Sequence, residues 1–197
     1  SSLTECFSSG GFNNAPGSTA SNIIQKFPFS VPFATATDTT GDLIETVAET
    51  SSQANTENAF VSGGRITSTN TWVKTIEKFP FSISSGSATD VGDLTVENKL
   101  MTGCSSSTDG FSVSGNSLPP ATPGSTLTVS TIEKFPFNIS SGTATDVGDF
   151  SPFVRQEGDG SSSETNGFVM NGAPSQPLSK RIYSFPFAIT SGTGTYV

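Results

Sequence analysis

Histidine is absent from this 197-residue chain. That absence removes Ser-His-Asp triads, Cys-His dyads and His-ligated zinc or copper. Basic residues are scarce too: nine Lys and Arg against seventeen Asp and Glu leave a formal charge of −8. This is the wrong sign for a face that tracks phosphates, so nucleic acid is not an expected partner. Charged residues of both signs make up only 13%, about half of the ~25% in an average globular chain. The two cysteines, Cys6 and Cys104, are too few for a disulfide scaffold and form no C-x-x-C pair. No apolar run approaches the ~20 residues of a membrane-spanning helix. Tyr and Trp are nearly missing, at two and one.

Phe is what the chain has, sixteen times. Leu, Ile, Val and Phe together number 45, which is just above the roughly 20% level where disorder becomes the default. A core is still within reach because each Phe buries a large area.

The Phe residues are not scattered. Lys26-Phe27-Pro28-Phe29 returns as Lys78-Phe79-Pro80-Phe81, as Lys134-Phe135-Pro136-Phe137, and as Ser184-Phe185-Pro186-Phe187, at spacings of 52, 56 and 50 residues. Ile24, Ile76, Ile132 and Ile182 precede them at one fixed offset. Thr37-Asp38, Thr89-Asp90-Val91-Gly92-Asp93-Leu94 and Thr145-Asp146-Val147-Gly148-Asp149-Phe150 follow the first three copies, and the last stops at Thr195-Tyr196-Val197. A second phrase lies upstream of each copy and ends on Phe7, Phe60, Phe111 and Phe168, with Gly11, Gly64, Gly115 and Gly172 four residues on. Twelve of the sixteen Phe thus fill three positions in four repeats. Phe12, Phe33, Phe150 and Phe153 are the others.

Apolar residues alternate rather than recur at helical spacing, so the chain reads as all-β. Each repeat is expected to hold four short strands. The first ends at the Gly turn, and the second is the Ile-x-Lys-Phe strand, ended by a Pro that cannot donate to a ladder. The third covers Thr-Ala-Thr-Asp. The fourth follows a Val-Gly-Asp turn, as at residues 94–100. Segments 116–123 and 172–177 read as surface loops. Four strands in roughly 50 residues describe a β-propeller blade, and four repeats (1–43, 44–94, 95–150 and 151–197) fill a single repeat domain, with the last blade a strand short. An open β-solenoid is the alternative. An incomplete sheet edge is also a reason to expect assembly.

The repeat resembles a kelch-type blade: Phe followed by Ser9-Gly10-Gly11 or Ser62-Gly63-Gly64 is similar to the kelch strand ending in a double glycine, and Ile76-Glu77-Lys78-Phe79-Pro80 to the strand after it. The kelch Trp is missing, and the third and fourth repeats keep one Gly of the pair. Over essentially the whole chain, the Lys-Phe-Pro-Phe and Ala-Thr-Asp-Val-Gly-Asp-Leu phrases resemble repeat proteins encoded by marine tailed phages. Those often carry His where this chain has Glu5, Asn58, Asp109 and Asn166. The resemblance implies a non-enzymatic structural or display component of a virion, capsid- or tail-associated, at the particle surface. Its partners would be other virion proteins and copies of itself. The alternative is an adhesin module for a host glycan or receptor, with loops 116–123 and 172–177 as contact surfaces. The kelch fold also includes galactose oxidase, but its copper site needs two His.

No catalytic residues and no cofactor are assigned. Two sets of polar residues carry the remaining site hypotheses. The pairs Asp90 with Asp93 and Asp146 with Asp149, and the looser Asp38 with Asp42, suggest Ca²⁺; each supplies two carboxylates where Ca²⁺ takes six to eight oxygens, and Asp in a turn also bonds its own backbone. Paired carboxylates could also hydrolyse glycosides, but no repeat sets one pair apart. Glu5, Asn58, Asp109 and Asn166 occupy equivalent places and would ring a central axis if their strands face it, or order adjacent turns. Lys26, Lys78 and Lys134 read as solvated residues paired with Glu77 and Glu133. Cys6 aligns with Ala59, Gly110 and Gly167, so its position selects for small size; a Cys6–Cys104 bridge stays open.

Overall fold

The computed structural model describes residues 4–12, 19–30, 35–117, 127–150, 158–170 and 181–197. Every regular element among them is a strand. The first unit holds β1 (Glu5–Ser9), β2 (Ser21–Pro28) and β3 (Thr37–Val47). The second holds β4 (Ser51–Ala54), β5 (Asn58–Ile66), β6 (Thr71–Pro80), the two-residue β7 (Gly86–Ser87) and β8 (Thr89–Asp93). A short β9 (Asn98–Lys99) precedes the third unit of β10 (Thr102–Ser105), β11 (Asp109–Ser117), β12 (Leu127–Pro136) and β13 (Thr145–Phe150). The fourth holds β14 (Asp159–Ser162), β15 (Asn166–Met170), β16 (Ile182–Pro186) and β17 (Thr193–Tyr196).

In the last three units four antiparallel strands pair in sequence order, as β4-β5-β6-β8, β10-β11-β12-β13 and β14-β15-β16-β17. The Phe-Pro-Phe proline is the last residue of β2, β6, β12 and β16, as its missing N–H requires. Each sheet takes its first strand from the chain that follows the previous unit. Three copies of that strand serve the second, third and fourth units, so the fourth unit is not a strand short; among the described residues the first unit has β1, β2 and β3, and its sheet is extended by β7, which pairs parallel to β3.

Four other expectations are corrected. Val-Gly-Asp is not a turn: β8 and β13 run through it, with a register shift that leaves Val91 and Val147 without a partner in the ladder. Residues 94–100 are not the fourth strand, since only β9 within them pairs, with the end of β11; the true strands are β4, β10 and β14. The glycines after Phe60 and Phe111 do not end their strands, because β5 and β11 continue past them with a register shift at Ser62/Gly64 and Val113/Gly115. Asn116 and Ser117, expected in a loop, are buried at the end of β11. The rest of 116–123, the whole of 172–177, Gly172, Phe33 and Phe153 lie outside the described residues.

The units stack. Among the described residues three apolar clusters form most of the core, one between each pair of neighbours. Ile24, Leu43 and Val47 of the first unit meet Phe79, Phe81 and Ile83 of the second. Phe60, Ile76 and Leu94 meet Phe135, Phe137 and Ile139. Phe111, Ile132 and Phe150 meet Phe185, Phe187 and Ile189. The first strands of the sheets run backbone against backbone: a Cβ on Gly103 would lie 1.9 Å from the Ser52 carbonyl oxygen, and one on Gly160 2.1 Å from that of Gly103. Closure into a four-bladed ring is not seen, as no described strand pairing or apolar cluster joins the fourth unit to the first.

Candidate functional site

The recurring residues converge on the joints between units. Successive side chains of a strand point to opposite faces, so Ile-Glu-Lys-Phe sends Ile and Lys forward to the next unit and Glu and Phe back to the previous one. Forward, Phe7, Phe60 and Phe111 each meet both rings of the next Phe-Pro-Phe. The centroids stand at 6.1 and 5.1 Å, 5.7 and 5.0 Å, and 5.2 and 5.1 Å, within the 4.5–7 Å range of favourable aromatic pairs. Lys78 and Lys134 lie over the rings of Phe60 and Phe111, each 5.7 Å from the centroid.

Backward, Glu77 and Glu133 are buried. Glu77 accepts the Ile44 N–H at 2.6 Å and the Glu45 N–H at 3.1 Å, both from β3 of the first unit. Glu133 accepts the Thr95 N–H at 2.6 Å and the Thr95 hydroxyl, from the chain after β8. Burial pushes both carboxyls above the ordinary glutamate range, against the lowering effect of those hydrogen bonds. The expected Glu–Lys pairing is therefore corrected. Lys26 bonds Glu5 at 3.0 Å and Lys134 bonds Asp109 at 3.4 Å across the strand pair. Consecutive Glu and Lys on one strand cannot face each other.

A polar layer lies inside the second joint. Gln53 Nε2 donates to the Phe111 carbonyl at 3.0 Å, to Ser112 Oγ at 2.9 Å and to Ser51 Oγ at 2.6 Å, and its Oε1 accepts from Ser62. Cys104 takes the equivalent place in the third joint, with its thiol 3.5 Å from the carbonyls of Ser161 and Phe168. Burial pushes that thiol up to about 11, which keeps it protonated and unreactive at neutral pH. Both cysteines are free thiols.

The Asp pairs are occupied by their own backbone. Asp90 accepts the Gly92 N–H and Asp146 the Gly148 N–H, both at 3.0 Å, and Asp38 accepts the Thr40 N–H at 2.7 Å. Asp93 pairs with Lys74 at 3.2 Å, and Asp149 accepts from Ser130 at 3.2 Å. Asp42 carries the joint through its backbone, its carbonyl accepting the Ala88 N–H. The glycine between each pair has a long-range cause. At Gly92 a Cβ would stand 2.6 Å from the Gly142 carbonyl oxygen, and at Gly148 2.5 Å from that of Gly192, each in the following unit. There the units are laced by parallel bridges, Asp93 to Thr143 and Asp149 to Thr193. Among the described residues no group of three or more acidic or Cys side chains is arranged to hold a metal.

Glu5, Asn58, Asp109 and Asn166 sit where β1, β5, β11 and β15 begin, opposite Pro28, Pro80, Pro136 and Pro186. The strands adjacent from unit to unit are instead β4, β10 and β14, so the four residues do not converge on one ring. The turns before three of them are ordered by Asn55, Ser106 and Ser163, whose side-chain oxygens accept the N–H groups of residues two and three positions on. Asn58 and Asp109 do share one groove of about 560 Å³, lined also by Asn55, Lys78, Pro136 and Asn138. The buried glutamates and Gln53 were not singled out by sequence as joint residues. Their signal was there, in Glu77 and Glu133 recurring at one offset.

No protein-family model matches the chain, and no curated protein matches it. No described helix is long and apolar enough to cross a membrane.

Proposed function

We propose that this chain is a non-enzymatic structural or display protein, built from propeller-type blades and carried on a phage virion. One observation supports the structural part above all. At the three joints the positions that recur from repeat to repeat (Ile24, Ile76 and Ile132; Phe79, Phe135 and Phe185; Phe7, Phe60 and Phe111; Gly92 and Gly148) are spent on packing one unit against the next. Of the polar residues that also return, Glu77 and Glu133 bond the unit before them, and Asp90 and Asp146 bond their own backbone. The virion assignment rests on the likeness of the repeat phrases to those of marine tailed phages. Its test is mass spectrometry and antibody labelling of purified particles from the source that encodes the chain. Finding it at stoichiometric copy number on the particle surface is the expected result, and its absence from washed particles overturns the assignment.

The groove shared by Asn58 and Asp109 favours a second reading, a glycan-binding adhesin. It sets amide, carboxylate and ammonium groups beside Pro136 and Phe137, a polar-plus-apolar lining of the kind that orients small ligands. Glycan-array binding that disappears in Asn58→Ala and Asp109→Ala variants is the outcome this reading requires.

A further inference from the structure

Three of the four repeats place a lysine before Phe-Pro-Phe, and in two of them a carboxylate on the neighbouring strand neutralises it. Lys26 bonds Glu5 at 3.0 Å and Lys134 bonds Asp109 at 3.4 Å. The fourth repeat has neither charge, with Ser184 and Asn166 at those places. The second keeps the cation and lacks the anion, because Asn58 stands where Glu5 and Asp109 do. Lys78 is half-buried, its ammonium 5.7 Å from the centroid of the Phe60 ring, and it makes no ion pair among the described residues. Asn58 differs from its equivalents too. Asp109 accepts the Thr108 hydroxyl at 2.7 Å, and Asn166 donates to the Thr165 hydroxyl at 2.9 Å. Glu57 replaces that threonine before Asn58, whose amide side chain has no partner among the described residues. Both unsatisfied groups line the groove of about 560 Å³ between the second and third units, a size within the ~300–1,000 Å³ of small-ligand sites. Asn55 lines it as well. Its side-chain oxygen is taken by the N–H groups of Glu57 and Asn58, which leaves its amide NH₂ without a partner among the described residues. Of the two carboxylates in the groove, Asp109 is held by Lys134 and Thr108, and Glu57 is exposed, where solvent and salt screen it.

We propose that this groove binds a sugar that carries a carboxylate. The ligand supplies to Lys78 the anion that Glu5 and Asp109 supply to the lysines of the first and third units. That charge-assisted bond is the strongest single contact on offer. The amides of Asn55, Asn58 and Asn138 donate to the sugar hydroxyls, and the exposed Pro136 gives its ring C–H groups an apolar surface. Lys26 and Lys134 are already paired, so the chain carries one such site. The inference rests on the glycan-binding reading of the groove and narrows it to acidic sugars. Sialic acids and hexuronic acids share the required chemistry, a carboxylate on a hydroxylated ring.

The test is calorimetric titration of the 197-residue chain with 3′-sialyllactose, with trigalacturonic acid and with lactose as the neutral control, repeated on Asn58→Asp and Lys78→Met variants. Asn58→Asp removes no groove side chain but gives Lys78 the internal partner found in the first and third units. Lys78→Met keeps the stem over the Phe60 ring and removes the charge. Both variants are expected to keep the wild-type circular dichroism spectrum and melting curve. One of the two acidic ligands should bind wild type at one site per chain, which also tells the two sources apart. Lactose, and the acidic ligand on either variant, should bind about tenfold more weakly or less, as loss of a charge-assisted hydrogen bond does. Lactose that binds as tightly as the acidic ligands, with its binding lost in Asn58→Ala, overturns the proposal and leaves the glycan-binding reading standing. Failure of both acidic ligands overturns the proposal; an empty glycan array alongside it overturns that reading as well. An acidic ligand held by Asn58→Asp as tightly as by wild type also overturns the proposal, since its carboxylate would then lie elsewhere.

Discussion

The joint between the second and third units and the joint between the third and fourth share a backbone pattern and, besides the exchange of Gln53 for Cys104, differ at a second buried side chain. In the former, Glu133 is buried and holds Thr95 through its backbone N–H and its hydroxyl. In the latter, the equivalent residue is Tyr183, whose ring meets Phe150 edge-on at 5.7 Å. The same gap is closed once by a hydrogen-bonded carboxyl and once by aromatic area. A buried carboxyl is therefore not demanded by the stack. It ties one joint to a particular partner N–H and makes it sensitive to protons; the ring does neither. The two outer faces extend the comparison, because there the same positions, Phe27 and Phe29 on one and Ile182 on the other, are partly exposed.

The largest effect should separate filled from unfilled joints. Phe135→Ala removes a fully buried ring and is expected to cost about 3–5 kcal/mol. Phe29→Ala, at an open face, should stay within about 0.5 kcal/mol of wild type at concentrations where the chain is monomeric. Equal losses in chemical denaturation would erase the distinction. Next, Glu133→Ala strands the Thr95 donors and is expected to cost about 1–3 kcal/mol. A loss indistinguishable from zero would mean the carboxyl contributes nothing to its joint.

The pH response sharpens the contrast between carboxyl and ring. Burial raises Glu77 and Glu133 above the ordinary value of 4.5 in the folded chain, so the folded state holds these two protons more tightly than the unfolded state. The stability they contribute is complete below the ordinary value and is lost as pH climbs through the raised ones. The wild-type melting temperature should accordingly fall between mildly acidic and neutral pH, and the slope should flatten in a Glu77→Gln, Glu133→Gln double variant. An unchanged slope would assign the response to other carboxylates. The smallest effect belongs to Lys134→Ala, which removes the half-exposed pair with Asp109 and should cost no more than about 1 kcal/mol. A larger loss would point to the contact of Lys134 with the Phe111 ring.

Much of this was legible from residue types alone. Phe-Pro-Phe marks a strand end because Pro cannot donate, and the segments around Ile24, Ile76 and Ile132 read as strands, which they are. The misreadings share one cause. Val-Gly-Asp looks like a turn because Gly and Asp favour turns, but its glycine answers to a carbonyl of the following unit, which no local pattern reveals. β4, β10 and β14 escaped notice because Ser51-Ser52-Gln53-Ala54, Thr102-Gly103-Cys104-Ser105 and Asp159-Gly160-Ser161-Ser162 carry almost no apolar period. They are held by the neighbouring backbone and by Gln53 and Cys104 instead. Glu77 and Glu133 were visible as recurring residues, yet proximity in sequence suggested the lysine beside each, which the pleat turns to the other face.

The strand that opens each sheet is supplied by the chain leaving the sheet before it, and this governs how such a gene can lengthen or shorten. Excising one whole period, wherever the cut begins, still delivers an opening strand to the sheet that follows. Excising part of a period strips a sheet of that strand and exposes the ladder behind it. Recombination between copies is thus tolerated in steps of about fifty residues and penalised in between. The period can persist while the linkers drift, as the unequal spacings of 52, 56 and 50 residues record.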